Sequence, residues 1–206
     1  MTSASAGPGA VRPGGRTARV RAAVLRAAGD ALAEGGLAGL DLADVARRAE
    51  VGKTTVYRRW GSPANLVADL LADMAEQSLP RTETGTLEGD LRANARLVQR
   101  TLADARQGAL FRAVIAAATC DEQAAAALRR FYDIRVTEWE PCVRQAVARG
   151  ELPAGTDTRE VVRAVSAPLY YRLLTTGEPL DEAAADRAAD AAVAAARAGV
   201  FVPGAS

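Results

Sequence analysis

The chain has 206 residues, 49% of them hydrophobic and 25% charged, with a formal net charge of +1 and no histidine. That balance describes a globular chain with a core of its own, and no apolar run reaches the ~20 residues a bilayer span requires. The near-neutral total hides an asymmetry: residues 1–60 carry ten basic and five acidic groups, or +5, and the remainder carries −4. A basic module joined to a larger acidic one points to a polyanionic partner for the first alone.

Residues 1–15 are mostly Gly, Pro, Ala and Ser, too poor in large apolar groups to order themselves, and read as a loose arm. From Thr17 the apolar groups Val20, Val24, Ala27 and Ala31 keep the helical period until Gly35 and Gly36, which predicts a helix over 17–34. Asp41 then stands as an N-cap before LADVARRA, a short helix ending near Ala49 with Leu42, Val45 and Ala46 on its apolar face. After Gly52 comes KTTVYRRW, in which Val56 and Trp60 share one face while Thr54, Tyr57 and Arg58 share another. Ser62 and Pro63 supply a cap and a first-turn proline for the next helix.

Two short helices joined by a tight turn, within a unit of about fifty residues, form a helix-turn-helix pattern. Buried Val56 and Trp60 would hold the second helix on its scaffold, leaving hydroxyls, a phenol and cations to meet phosphates and base edges. A solvated amphipathic helix is the plainer alternative.

The stretch VRAAVLRAAGDALAEGGLAGLDLADVARRAEVGKTTVYRRWGSPANLVADLL resembles the DNA-binding domain of the TetR-like bacterial transcriptional regulators. AGDALAEGG matches the close of their first helix and VGKTTVYRRW their recognition helix. The resemblance implies an all-α homodimer that binds a palindromic double-stranded operator, with an N-terminal reader and a C-terminal effector domain for a small molecule. It places Lys53, Thr54 and Arg58 against base edges and Thr55, Tyr57 and Arg59 against phosphates, and Arg16 and Arg19 join them as expected DNA contacts. The sequence departs from the family pattern at three positions. Glu50 stands where a glycine is usual at the turn, Asp41 replaces a threonine cap, and Pro63 replaces a phosphate-binding lysine.

Further helices are predicted over 63–79, 87–106, 109–118, 121–149, 157–176 and 181–198, with a break near Gln107 and Gly108 and kinks at Pro141 and Pro168. The expected organisation is therefore an arm (1–15), a three-helix DNA-binding domain (16–62), a helical effector and dimerisation domain (63–200) and a tail (201–206). APLYYRLLTTGEP resembles a segment of one branch of the family, which places it in the helix pair used for dimerisation. The alanine-rich last helix reads equally as a surface helix or as one packed tightly on a partner's copy.

Leu128, Tyr132, Arg135 and Trp139 fall close to one helical face, and Phe111 and Ile115 lie four apart on the preceding helix. If the faces meet, Phe111, Ile115, Tyr132, Arg135 and Trp139 wall a site for a flat, largely apolar ligand with an acidic or carbonyl group; otherwise they fill a core.

Cys120 and Cys142 form no CxxC, so neither metal nor cofactor is expected. Without histidine, imidazole metal sites and the usual general base at neutral pH are lost. The competing functions are a helical enzyme on a small apolar substrate, resting on stray carboxylates or the two cysteines, and a helical adaptor. MTSASAGPGAVRPGGR has no apolar stretch of the secretory kind, so the expected location is the cytoplasm, with no membrane partner.

Overall fold

The computed structural model describes residues 14–77 and 83–204, and among these it contains helices and no strand. The elements are α1 (Gly14–Gly35), α2 (Leu42–Arg48), α3 (Lys53–Trp60), α4 (Pro63–Glu76) and α5 (Leu87–Ala103). They continue with α6 (Ala105–Cys120), α7 (Glu122–Ala148), α8 (Thr158–Tyr171) and α9 (Glu182–Arg197).

The caps explain the early boundaries. The Asp41 carboxylate accepts from the amides of Ala43 and Asp44 at 3.2 and 3.1 Å, and Ser62 Oγ accepts from Asn65 N at 3.2 Å before Pro63 opens α4. Gly36, at φ +64°, lets the chain leave α1 through a region closed to most side chains. Val24, Leu25, Ala28 and Leu32 bury one face of α1 against α2, α4 and α6, and Val45, Ala46 and Val56 close the α2–α3 corner. Behind this unit α7 runs along α4 and α6, and α5 packs on α8 and α9.

Four elements differ from the periodicity. Helix α1 starts at Gly14, so Gly14 and Gly15 are helical rather than part of an arm, while the remainder of the expected arm, 1–13, lies outside the described residues. The break expected at Gln107–Gly108 sits instead at Asp104, whose extended backbone ends α5 and whose side chain caps α6 through Gln107 N at 2.8 Å. Gly108 is inside α6 because a Cβ there would run into the carbonyl oxygen of Leu102: the glycine serves a close approach, not a stop. The helix expected over 157–176 divides into α8 and a wider π turn, Arg172–Thr176, soon after Pro168.

The small face of α9 is used within the chain. Ala184, Ala185, Ala188, Ala189, Ala192 and Ala196 are buried, α9 lies against α5 and α8, and Arg92–Asp190 and Arg96–Asp186 pairs at 2.7 and 2.8 Å stitch α5 to it. The tail is likewise engaged: Asp157 N donates to Phe201 O at 2.7 Å, and Phe201 and Val202 are half-buried. No helix among the described residues is long and apolar enough to cross a membrane.

Candidate functional site

Helix α3 shows why its sequence has two characters. Val56 and Trp60 are buried, and burial of side chains this size stabilises by roughly 1.5–3 kcal/mol each. Lys53, Thr54, Tyr57, Arg58 and Arg59 are exposed and Thr55 is half-buried, so one outward face carries three cations, hydroxyls and a phenol. Among the described residues no carboxylate lies within ion-pairing distance of Lys53, Arg58 or Arg59, whereas Arg47 and Arg48 on α2 both pair with Asp44. Arg16 and Arg19 are exposed on the first turns of α1, where Arg19 Nε donates only to Gly15 O at 3.1 Å. Among the described residues of the basic module, the cations without a carboxylate partner are Lys53, Arg58 and Arg59 on α3, Arg16 and Arg19 at the start of α1, and Arg26 midway along α1.

A polar anchor absent from the sequence reading fixes α3. Trp60 Nε1 donates to Asp69 Oδ2, Asn65 Nδ2 donates to Trp60 O at 2.7 Å, and Arg21 of α1 grips Asp69 at 2.7 Å and Asp73 at 2.5 Å. Partial burial alone would raise the Asp69 pKa, but hydrogen bonds from Arg21 and Trp60 and the charges of Arg21 and Arg59 outweigh it and hold it below the ordinary value. The Arg59 guanidinium also lies over the Trp60 ring, 5.0 Å from its centroid. Nothing in the spacing joins Arg21 to Asp69, 48 residues on.

A cavity of about 320 Å³ lies in the second half of the chain, between α4, α5, α6, α7 and α8. Phe111, Tyr132, Arg135 and Trp139 line it as expected; Ile115 and Leu128 do not. The cavity meets α6 one turn earlier, at Gln107 and Phe111, and the buried face of α6 runs through Leu110, Val114 and Ala117, leaving Ile115 to one side. Phe131 and Tyr170 complete the aromatic wall: Phe111–Phe131, Phe111–Tyr170 and Tyr132–Tyr170 centroids are 5.8, 6.0 and 5.4 Å apart at tilted or edge-on angles. Burial, aided by the neighbouring phenol, pushes the Tyr132 hydroxyl well above the usual range, and burial pushes Tyr170 up to about 12, so both stay protonated.

The family model described as "Bacterial regulatory proteins, tetR family" matches residues 24–70, and the "Tetracyclin repressor-like, C-terminal domain" model matches residues 81–192. The chain belongs to the TetR family. A "DNA-binding transcriptional repressor TetR" of Mycobacteroides abscessus is 34% identical over 172 residues, covering 82% of this chain and 89% of that one. The crystal structure of the TetR family regulator SCO0332 superposes with TM-score 0.66 at 30% identity, over 85% of this chain and 97% of that one. A SmeT–triclosan complex shares the fold with TM-score 0.68 at 21% identity, over 90% and 95% of the two chains.

As a TetR-family chain the protein is a helix-turn-helix transcriptional regulator, and α2 with α3 is that motif. Its departure at Glu50 has a structural counterpart: Glu50 has φ +55°, alone among described non-glycine residues in the left-handed region. The left-handed turn geometry that glycine suits is adopted here with a side chain in place.

Proposed function

We propose that the chain acts as a homodimeric, ligand-responsive repressor that recognises a palindromic DNA operator through paired α3 helices, in the cytoplasm and without catalysis. The observation that carries this reading is the outward face of α3, with Lys53, Arg58 and Arg59 free of described carboxylates on a helix held by buried Val56 and Trp60. Residues 16–62 are the reader and 63–200 the effector and dimerisation region. Lys53, Thr54 and Arg58 address base edges, while Thr55, Tyr57 and Arg59, with Arg16 and Arg19, hold phosphates.

One α3 helix covers too little surface for a specific complex, so two copies share a symmetric site. Tyr171 and Leu174, 62% and 45% exposed at the end of α8 and in the π turn, offer apolar surface for the second copy. The effector occupies the α4–α8 cavity. Helix α6 supports a link from there to the reader: Gln107 and Phe111 line the cavity, and the adjacent Arg106 pairs with Asp30 of α1 at 2.5 Å. A ligand that favours one placement of α6 needs a coupling of only ~1–3 kcal/mol to alter DNA affinity. The triclosan complex supports the reading at the level of fold, since a small apolar molecule accompanies the same architecture there.

Binding to duplex fragments, followed by anisotropy from 50 to 300 mM salt, tests this. The logarithm of the association constant falls linearly with the logarithm of salt concentration, and Arg59→Ala or Arg19→Ala, each of which removes a phosphate contact, flattens that slope. Binding that ignores salt, or slopes unchanged in both variants, contradicts the proposal.

A further inference from the structure

We propose that the cavity selects planar aromatic carboxylates and rejects aromatic cations; this rests on the cavity being the effector site, and it assigns the class of molecule that enters. Three features of the lining carry it.

The first is shape. Phe111, Phe131, Tyr132, Trp139 and Tyr170 present ring faces and edges around about 320 Å³, room for roughly two or three fused rings. The second is charge. Among the described lining residues Arg135 alone is charged and none is a carboxylate, so a cation entering here would lose its hydration with no described lining carboxylate in contact. Tyr132 and Tyr170 do not supply one, because both phenols stay neutral.

The third is an excess of hydrogen-bond donors. Asn94 is 4% exposed and lines the cavity, yet no described residue hydrogen-bonds its side-chain amide. The Gln107 side chain, one turn before Phe111, is in the same position. Arg135 Nη1 lies 2.6 Å from Glu138 but is buried and out of hydrogen-bond alignment, and its Nε and Nη2 have no described partner. A carboxylate is the complementary occupant: two oxygens accept in parallel from a guanidinium fork and still have lone pairs for an amide N–H. A ketone brings one uncharged oxygen, which can accept twice but cannot meet the guanidinium fork with two charged oxygens.

Four naphthalene probes of matched size decide it with the full-length chain: 2-naphthoate, 2-acetylnaphthalene, 2-naphthylmethylammonium and naphthalene, each measured by calorimetry and by the shift in Tm. The expected order places 2-naphthoate at least tenfold tighter than the ketone and naphthalene, with no Tm shift from the ammonium. Arg135→Gln weakens 2-naphthoate at least tenfold while the ketone changes less than threefold. Should Arg135→Gln fail to fold, Asn94→Leu serves in its place, with at least a threefold loss for 2-naphthoate and none for naphthalene. The proposal is overturned if the ketone or the ammonium binds as tightly as the acid, if none of the four binds, or if the folded variant leaves the acid unaffected. The same probes added to the preformed DNA complex keep the two readings apart. A carboxylate that binds with this selectivity but leaves DNA affinity unchanged supports the ligand class and sinks the effector role, whereas DNA release driven by the ammonium alone sinks the ligand class and keeps the role.

Discussion

The indole Nε1 of Trp60 donates to Asp69 Oδ2 at 2.9 Å, which ties the last residue of the recognition helix to the middle of α4. Because Arg21 of α1 holds the same carboxylate, one side chain fixes the mutual placement of three helices. Asp69→Ala removes the shared acceptor and leaves both the indole N–H and part of the guanidinium without it. The expected cost is about 1–3 kcal/mol of stability and a loss of DNA affinity that Trp60→Phe, which keeps the Arg21–Asp69 pair, reproduces only in part. Chemical denaturation and anisotropy on the two single variants and the double variant measure the coupling.

Acid sensitivity follows from the same carboxylate. Its folded pKa is depressed below the ordinary 3.8, so the stability it contributes is fully present above that value and is lost as pH falls through the folded pKa. The expected outcome is that Tm drops more steeply below about pH 4 in the native chain than in Asp69→Asn, the two curves converging at the acid end. Parallel curves would show that Asp69 contributes nothing through its charge.

The reader was largely legible in the sequence because its signals are local. Asp41 and Ser62 are caps acting on amides two or three residues away, and the Val56–Trp60 spacing is one helical turn. The cavity was legible only in part. Phe111, Tyr132, Arg135 and Trp139 could be chosen by type and period, but Asn94 is an ordinary helix residue in sequence, and only the packing of α5 against α8 turns it inward. Gly108 misled for a physical reason: a glycine needed for close approach to Leu102 O looks the same in sequence as one that ends a helix.

Glu50 is held at φ +55°, where an L side chain crowds its own carbonyl at a cost of about 1 kcal/mol. Glu50→Gly removes that strain and takes an exposed negative charge from the turn that precedes α3. Tm is expected to rise by a few degrees with DNA affinity equal or higher. A lower Tm in differential scanning calorimetry would mean that the Glu50 side chain makes a favourable interaction outweighing its backbone strain.

Two kinds of contact are proposed for the outward face of α3. Tyr57→Phe and Arg59→Ala are expected to weaken all duplexes by similar factors, Arg59→Ala more strongly because it also removes the cation stacked on Trp60. Arg58→Ala relaxes preference at one base pair per half-site, by ~1–3 kcal/mol where the contact is a bidentate one to guanine. Selection on randomised duplexes reads the difference, and an equal loss of preference in all three variants would invert the assignment of the face.

The most direct test of a dimeric operator-binding regulator is a footprint of the full-length chain on fragments selected from its own genomic DNA, with the chain-to-duplex ratio measured on the same complex. The expected result is a protected, pseudo-palindromic segment with half-sites about one helical turn, ~34–36 Å, apart or a multiple of it, occupied by an even number of chains of 21.4 kDa in which each pair shares one dyad. Protection of an asymmetric segment by a single chain, or fragments retained without any shared sequence, would contradict it.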